Sequence, residues 1–191
     1  MINLAVFASG SGSNAENLAL YFKRHPKIRL SLLLSNRPDA FVLQRAKRLN
    51  IPALTFNKED FYHSDKILEA LSDYKIDRLV LAGFLWLIPD NLLKAFPQRI
   101  INIHPALLPH YGGKGMYGHH VHEAVVANGE KETGITIHLV DAEYDHGKIL
   151  FQASCSVLPD DTPETVAAKV HELEYQYFPK AVEEWIMNYG L

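Results

Sequence analysis

The first half of the chain alternates continuous apolar runs with stretches of helical periodicity. Residues 2–8 are apolar apart from Asn3, and Ala15, Leu18, Ala19 and Phe22 then recur at the spacing of one helix face. Residues 29–35 carry a run of leucines, and the turn-like Asn36-Arg37-Pro38-Asp39 leads into a helical stretch through Arg48. A short strand is predicted over 52–56. Asn57 is placed to cap the next helix, with Glu59 and Asp60 in its first turn, where acids suit the helix dipole. Residues 79–82 and 99–103 predict two more strands, separated by a short helix near 89–95. Strands apolar on both faces belong in a parallel sheet covered by helices on both sides.

The pattern changes in the second half. Residues 134–140 and 148–157 predict strands joined by a short polar loop, and so antiparallel partners. A final helix is predicted from Thr162, with Pro163 at its first position. No linker, internal repeat or low-complexity segment interrupts the chain. The expected fold is α/β, a Rossmann-like doubly wound and mostly parallel sheet with an antiparallel C-terminal edge, in a single domain over 1–191. Ligands of such sheets bind beyond the carboxyl ends of the strands. Three segments qualify: residues 9–14, residues 83–88, and the long stretch after Ile103.

Composition narrows the ligand. With 191 residues, 48% of them hydrophobic and 21% charged, the chain has the makings of a globular core. A formal charge of −3 supplies no basic field for a polyanion, so nucleic acid is not an expected partner. Any phosphate bound is expected to be one small group gripped locally. A single cysteine fits a reducing compartment. The N-terminus has no basic leader, and the longest apolar run, 79–88, is far short of the ~20 residues that span a bilayer. A cytoplasmic protein without membrane contact is expected.

Ser9-Gly10-Ser11-Gly12-Ser13-Asn14 follows the first strand and opens the first helix. Glycines there let several N–H groups approach an anion, and the helix N-terminus adds partial positive charge. The loose dinucleotide fingerprint is met, but the second strand ends in Ser35-Asn36 without the acid that holds a ribose, and no lysine follows as in a Walker loop. A pocket for a single phosphate is the favoured reading; a plain strand–helix turn is the alternative.

Seven of the 10 histidines lie between His104 and His146. Asn102 and His104 are two apart, so in extended chain they project to one side, where an amide donor and a titratable base act together. Tyr144-Asp145-His146-Gly147 is a polar loop that can bring a carboxylate to the imidazole; Asp145 would then orient His104 and raise its pKa. With no Ser or Cys nucleophile in the motif, direct attack by a substrate amine is expected. His119-His120-Val121-His122-Glu123 has spacings of one and two rather than the i, i+4 of helical metal pairs, so no metal site is expected. Helix-cap and pocket-wall roles suit His120 and His122 better. His110-Tyr111-Gly112-Gly113-Lys114-Gly115-Met116-Tyr117-Gly118 holds four glycines and is either a lid or a flexible surface insert. No role is assigned to His110 or His146. Val170, Leu173, Tyr177 and Ala181 form the apolar stripe of the last helix, and Glu174 lies beside it, in need of a partner or at its exposed edge.

Asn102-Ile103-His104-Pro105-Ala106-Leu107-Leu108-Pro109, then Thr133-Gly134-Ile135-Thr136-Ile137-His138 and Asp145-x-Gly147, resembles the folate-dependent formyltransferases, and the 9–14 loop strengthens the match. The resemblance covers essentially the whole chain and implies the formyltransferase fold, with a phosphate-binding half over about 1–100 and a catalytic and folate half over about 101–191. It implies that a formyl group passes from 10-formyltetrahydrofolate, as cosubstrate, to the amine of glycinamide ribonucleotide. A family relative acting on a sugar-nucleotide amine is the alternative. Asn102, His104 and Asp145 would be catalytic, with protonated His104 and Asn102 steadying the oxyanion and Asp145 supporting the imidazolium. Gly12, Ser13 and Asn14 would hold the phosphate and Glu174 the ribose hydroxyls. Leu85, Trp86, Leu87 and Ile88 would line the folate pocket, although Trp86 stands where an arginine is familiar. His138 would lie near the transferred group. The 110–118 loop is several residues longer than the better-known family version. Family members acting on methionyl-tRNA carry an extra C-terminal domain, and the hydrolases an extra N-terminal one; neither is expected here. A monomer or homodimer is expected.

Overall fold

The computed structural model describes residues 1–188, so the end of the expected 1–191 domain lies outside the described residues. The chain forms two compact units, Met1–Ile101 and Asn102–Leu191. Its strands run in the order β3-β2-β1-β4-β5-β6-β7 in one mixed sheet. No described helix is long and apolar enough to cross a membrane.

The first unit holds β1 (Ile2–Phe7), α1 (Ser13–Phe22), β2 (Ile28–Ser35), α2 (Phe41–Leu49), β3 (Ala53–Thr55), α3 (Lys58–Tyr62), α4 (Lys66–Asp73), β4 (Arg78–Ala82) and α5 (Asp90–Ala95). β1 pairs in parallel with β2 on one side and β4 on the other, and β2 with β3. Leu4, Val6, Phe7, Leu32, Leu33, Leu34, Leu79 and Val80 are buried, as runs without polar alternation require in a two-sided sheet. Phe7 ↔ Leu81 pairing brings the carboxyl ends of β1 and β4 level, and with them the loops that follow.

The segment after Asn57 differs from the single helix its pattern predicts. Asn57 and Asp60 do form a reciprocal capping box, yet α3 stops after one turn and α4 starts afresh at Lys66. The Ser64 hydroxyl donates to the Asp60 carbonyl at 3.0 Å, taking an acceptor that a continuing helix would use.

β5 (Ile100–His104) carries the chain into the second unit, which continues with α6 (His119–Ala127), β6 (Glu132–Leu139), β7 (Ile149–Ser156) and α7 (Pro163–Asn188). β6 and β7 are antiparallel, with Gly134 opposite Ser154 and Thr136 opposite Gln152. A Cβ at Gly134 would sit 2.0 Å from the Ala153 carbonyl oxygen, so only glycine permits this approach. Thr162 and Thr165 exchange side-chain-to-amide bonds of 3.3 and 2.9 Å at the start of α7, and Pro163 takes the first helical position, where its missing N–H is no loss. α7 packs on α6, β6 and β7, burying Val166, Val170, Phe178, Val182 and Trp185.

Candidate active site

In the first unit, Gly12 precedes α1 with φ 74°, in the left-handed region that costs glycine little. A Cβ there would also lie 2.4 Å from Val42 Cγ2. The loop is gripped from α2: Val42 N donates to the Gly10 carbonyl at 3.1 Å and Arg45 Nε to the Ser11 carbonyl at 2.9 Å. Both carbonyls are occupied, and the loop leads into a helix start, an end that favours anions. Glu16, in the first turn of α1, pairs with both Arg45 and Arg48. Neither arginine was singled out by the sequence; their place on α2 beside the loop is a product of the fold.

The same end of the unit carries the expected folate segment. Ser9 N donates to the Gly83 carbonyl at 2.9 Å, and Leu85 N donates to Ser9 Oγ at 3.1 Å. Leu85 is exposed, Trp86 and Leu87 are half-buried and Ile88 is buried. Trp86 belongs to an aromatic cluster, its ring 5.9 Å from Phe56, 5.7 Å from Phe61, 6.0 Å from Tyr62 and 6.3 Å from Phe84. Lys58 Nζ stands 5.9 Å over the Trp86 ring, a cation–π contact beside this segment. Tyr62 Oη donates to the Leu87 carbonyl at 3.0 Å.

In the second unit the structure brings Asn102, His104, His138 and Asp145 into one group. Asn102 and His104 share a face of β5 and both meet Asp145. Asn102 Nδ2 donates to Asp145 Oδ1 at 3.3 Å and to His138 Nε2 at 3.1 Å, while His104 Nδ1 lies 3.5 Å from Asp145 Oδ2. Backbone carbonyls fix both imidazole tautomers, because a carbonyl only accepts. His104 Nε2–H donates to the Tyr111 carbonyl at 2.7 Å, and His138 Nδ1–H to the Leu139 carbonyl at 2.8 Å. His138 Nε2 is thereby left as acceptor for Asn102, and His104 Nδ1 as the basic atom facing Asp145.

Burial is the largest influence on His104 and pushes its pKa below the ordinary 6.5, against the opposing pull of Asp145 and of the Tyr111 carbonyl; His138 adds to the lowering. Asp145 does pull the His104 pKa upward, as expected, but burial outweighs it. A ring side chain only 4% exposed loses more hydration than Asp145 returns. Asp145 is opposed by its own burial, yet His138, His104 and the Gly113 N–H together hold its carboxyl below the usual value. At neutral pH these directions favour the uncharged ring and the charged carboxylate.

Asp145 has φ 55°, and two residues on, a Cβ at Gly147 would lie 1.8 Å from the Leu139 carbonyl oxygen. This glycine lets the loop turn back on β6 and present Asp145 beside His138. Gly113 N donates to Asp145 Oδ2 at 3.0 Å. Tyr111 and Gly113 thus touch the central pair through backbone atoms, which no side-chain pattern signals.

The other histidines separate. His119 and His120 are exposed and pair with Glu123, His119 also lying 3.6 Å from Glu164. His122 is buried, and its Nδ1 has no hydrogen-bond partner among the described residues. Burial lowers its pKa, with Glu174 opposing. Glu174 is half-buried on α7, its Oε2 3.2 Å from His171 Nδ1, so it is not a free surface carboxylate. His146 pairs with Asp141 at 3.1 Å on the surface, and His110 is exposed. Among the described residues no group of three or more His, Cys, Asp or Glu is arranged to hold a metal ion.

Residues 2–182 match the formyl transferase family. The chain is 41% identical to the chloroplastic phosphoribosylglycinamide formyltransferase of Arabidopsis thaliana, over 94% of this chain and 63% of that protein. It spans about three fifths of the plant relatives' length. Against the phosphoribosylglycinamide formyltransferase of Bacillus subtilis (strain 168) the identity is 35%, over 96% of this chain and 94% of the relative. The crystal structure of glycinamide ribonucleotide transformylase 1 from Geobacillus kaustophilus superposes with a TM-score of 0.86 at 37% identity, covering 95% of this chain and 97% of the other. A match over nearly the whole chain, at these identities and with the same fold, makes this protein a member of the formyl transferase family.

Proposed function

We propose that this chain transfers the formyl group of 10-formyltetrahydrofolate to the amine of 5'-phosphoribosylglycinamide, giving formylglycinamide ribonucleotide and tetrahydrofolate for purine synthesis. The carrying observation is the Asn102–His104–Asp145 group, built around a buried imidazole whose Nε2 bonds the Tyr111 carbonyl. The names of the relatives at 35–41% identity support the acceptor. Both partners are small molecules, in keeping with a charge of −3 that suits no nucleic acid.

The chemistry needs a base and an oxyanion donor, and no covalent enzyme intermediate. The neutral amine attacks the formyl carbon, a C–N bond forms, and the carbonyl electron pair moves onto oxygen. Asn102 Nδ2–H, held by long bonds of 3.1 and 3.3 Å, is the donor that this oxygen recruits. The proton leaving the amine goes to His104 Nδ1, and Asp145 and the Tyr111 carbonyl stabilise the imidazolium formed. The oxyanion then restores its double bond, the bond from the formyl carbon to folate N10 breaks, and N10 takes the proton from His104. In this reading the imidazolium belongs to the intermediate and not to the resting protein, which reverses the order implied by the resemblance.

Binding falls to other residues. Gly12, Ser13 and Asn14 hold the terminal phosphate and Glu174 the ribose hydroxyls. Leu85, Trp86, Leu87 and Ile88 line the folate pocket, and His138 keeps Asn102 aimed. The test is an acceptor screen with 10-formyltetrahydrofolate, following release of tetrahydrofolate. Turnover with glycinamide ribonucleotide and none with sugar-nucleotide amines is expected; the converse would overturn the proposal.

A further inference from the structure

Tyr111 is held at both ends. Its carbonyl accepts the Nε2 proton of His104 at 2.7 Å. Its phenol donates to Glu130 Oε1 at 2.7 Å and accepts from Asn128 Nδ2 at 2.9 Å, two residues that follow α6. Between these ends the backbone has φ 57°, a left-handed conformation that costs a side chain free energy. The residues after it give that conformation little local support: Gly113, Gly115 and Gly118 all have positive φ and open space around them. Gly112 packs close to Leu108 and Asp145, where a Cβ would meet Leu108 Cδ2 at 2.6 Å and Asp145 Cβ at 3.2 Å. A strained residue followed by a glycine-rich segment keeps its geometry only if something outside the segment fixes it. The phenol is one such fixture, on the far side of Tyr111 from the Gly113 N–H bond to Asp145 Oδ2.

We infer that Tyr111, Asn128 and Glu130 are positioning residues for the base: the phenol anchor holds the Tyr111 carbonyl where it binds His104 Nε2–H, leaving Nδ1 to take the substrate proton. This rests on the reading of His104 as the base. Four groups act on that imidazole: the Asp145 carboxylate, the Tyr111 carbonyl, the His138 ring on β6 and, on α6, the His122 ring. His122 in turn feels Glu174 of α7. Of these, only the Tyr111 carbonyl bonds to Nε2 and favours a proton there, whereas Asp145, facing Nδ1 at 3.5 Å, favours the opposite tautomer. If the anchor is cut, the ring loses that bond part of the time and populates the other tautomer, whose Nδ1 already carries a proton.

The experiment uses the full chain and four variants, Y111F, E130A, E130Q and the double variant Y111F/E130A. Y111F and E130A are expected to lower kcat about tenfold, with KM for both substrates within about twofold of wild type. The double variant is expected to be no slower than either single, because both cut one anchor. E130Q, which keeps an acceptor for the phenol, is expected to recover at least about half of the wild-type kcat. The acid limb of kcat should move to lower pH in Y111F, because the bond to the carbonyl is one of the influences that raise the His104 pKa. Nitrogen NMR of His104 should show a single Nε2–H tautomer in wild type and a mixture in Y111F. If Y111F loses folded protein, E130A carries the same test. Unchanged kcat in folded Y111F and E130A, additive losses, or a single tautomer in both proteins would overturn the inference. If His104→Ala retains turnover the base itself is wrongly assigned; if His104→Ala is inactive while Y111F is normal, only the anchor fails.

Discussion

The 9–14 loop of the first unit and the Asn102–Asp145 group of the second unit are supported in opposite ways. In the loop, side chains hold backbone: Val42 fills the space beside Gly12, Arg45 caps the Ser11 carbonyl, and Ser9 Oγ ties Leu85. In the group, backbone holds side chains: the Tyr111 and Leu139 carbonyls fix two imidazoles, and the Gly113 N–H fixes a carboxylate. Grip on a phosphate needs many weak donors at set spacing, which backbone provides. Proton transfer needs one group of tuned basicity, which only a titratable side chain provides. Substitutions should therefore act on binding in the first region and on turnover in the second.

The largest effects belong to the second region. His104→Ala removes the proposed proton acceptor, and Asp145→Asn the charge proposed to stabilise the imidazolium; each is expected to lower kcat by about 10³-fold or more while thermal unfolding shows an intact fold. In wild type, activity should fall on the acid side through a pKa below the ordinary 6.5 of histidine, because burial favours the neutral ring. Protons added below that pKa occupy His104 Nδ1 and leave the proposed mechanism no acceptor for the amine proton. An acid limb above 6.5, or turnover near wild type in either variant, would dissolve the contrast between the regions.

The side chains of this second region were legible in the sequence and their settings were not. Asn102 and His104 two apart at a strand end, with a downstream Asp145 before a glycine, are visible because a period of two puts residues on one face. The mostly parallel sheet and the antiparallel β6–β7 pair followed from apolar runs and a short polar connection. The net direction of the His104 shift could not be read, since it depends on how deeply the ring is buried. Tyr111 and Gly113 escaped because they act through atoms that every residue has. The break between α3 and α4 escaped for a different reason: one serine hydroxyl competing for a carbonyl leaves the apolar periodicity unchanged.

The binding region is tested next by Gly12→Asp. The new side chain would meet Val42, 2.4 Å from the Cβ position, in a left-handed backbone, and would set a carboxylate against the phosphate. KM for the ribonucleotide is expected to rise about 100-fold, with a much smaller change in KM for the folate. Gly12→Ala, which adds the clash without the charge, should fall between the two proteins. Equal losses on both substrates would mean that the loop supports the fold and not the phosphate.

The smallest effect has the most informative sign. Glu16 places a carboxylate in the first turn of α1, the end at which the proposed phosphate would bind, and so opposes that ligand. Arg45 and Arg48 pair with it and cancel the charge, and Arg45 is also bonded to the Ser11 carbonyl. If Glu16 served only to clip α1 to α2, Glu16→Gln would loosen the loop, lower thermal stability and raise KM for the ribonucleotide. If the charge is what the phosphate feels, the substitution leaves one more positive charge beside it and lowers KM. One unit charge at roughly 8 Å in a water-like dielectric is worth about 0.5 kcal/mol, a factor of about two in affinity. Salt near 0.5 M should erase that gain by screening, whereas a loss through loosened structure would persist at every ionic strength. A twofold fall in ribonucleotide KM that disappears with salt, at constant kcat and constant folate KM, is the expected result, and it would assign the region to binding by charge as well as by shape.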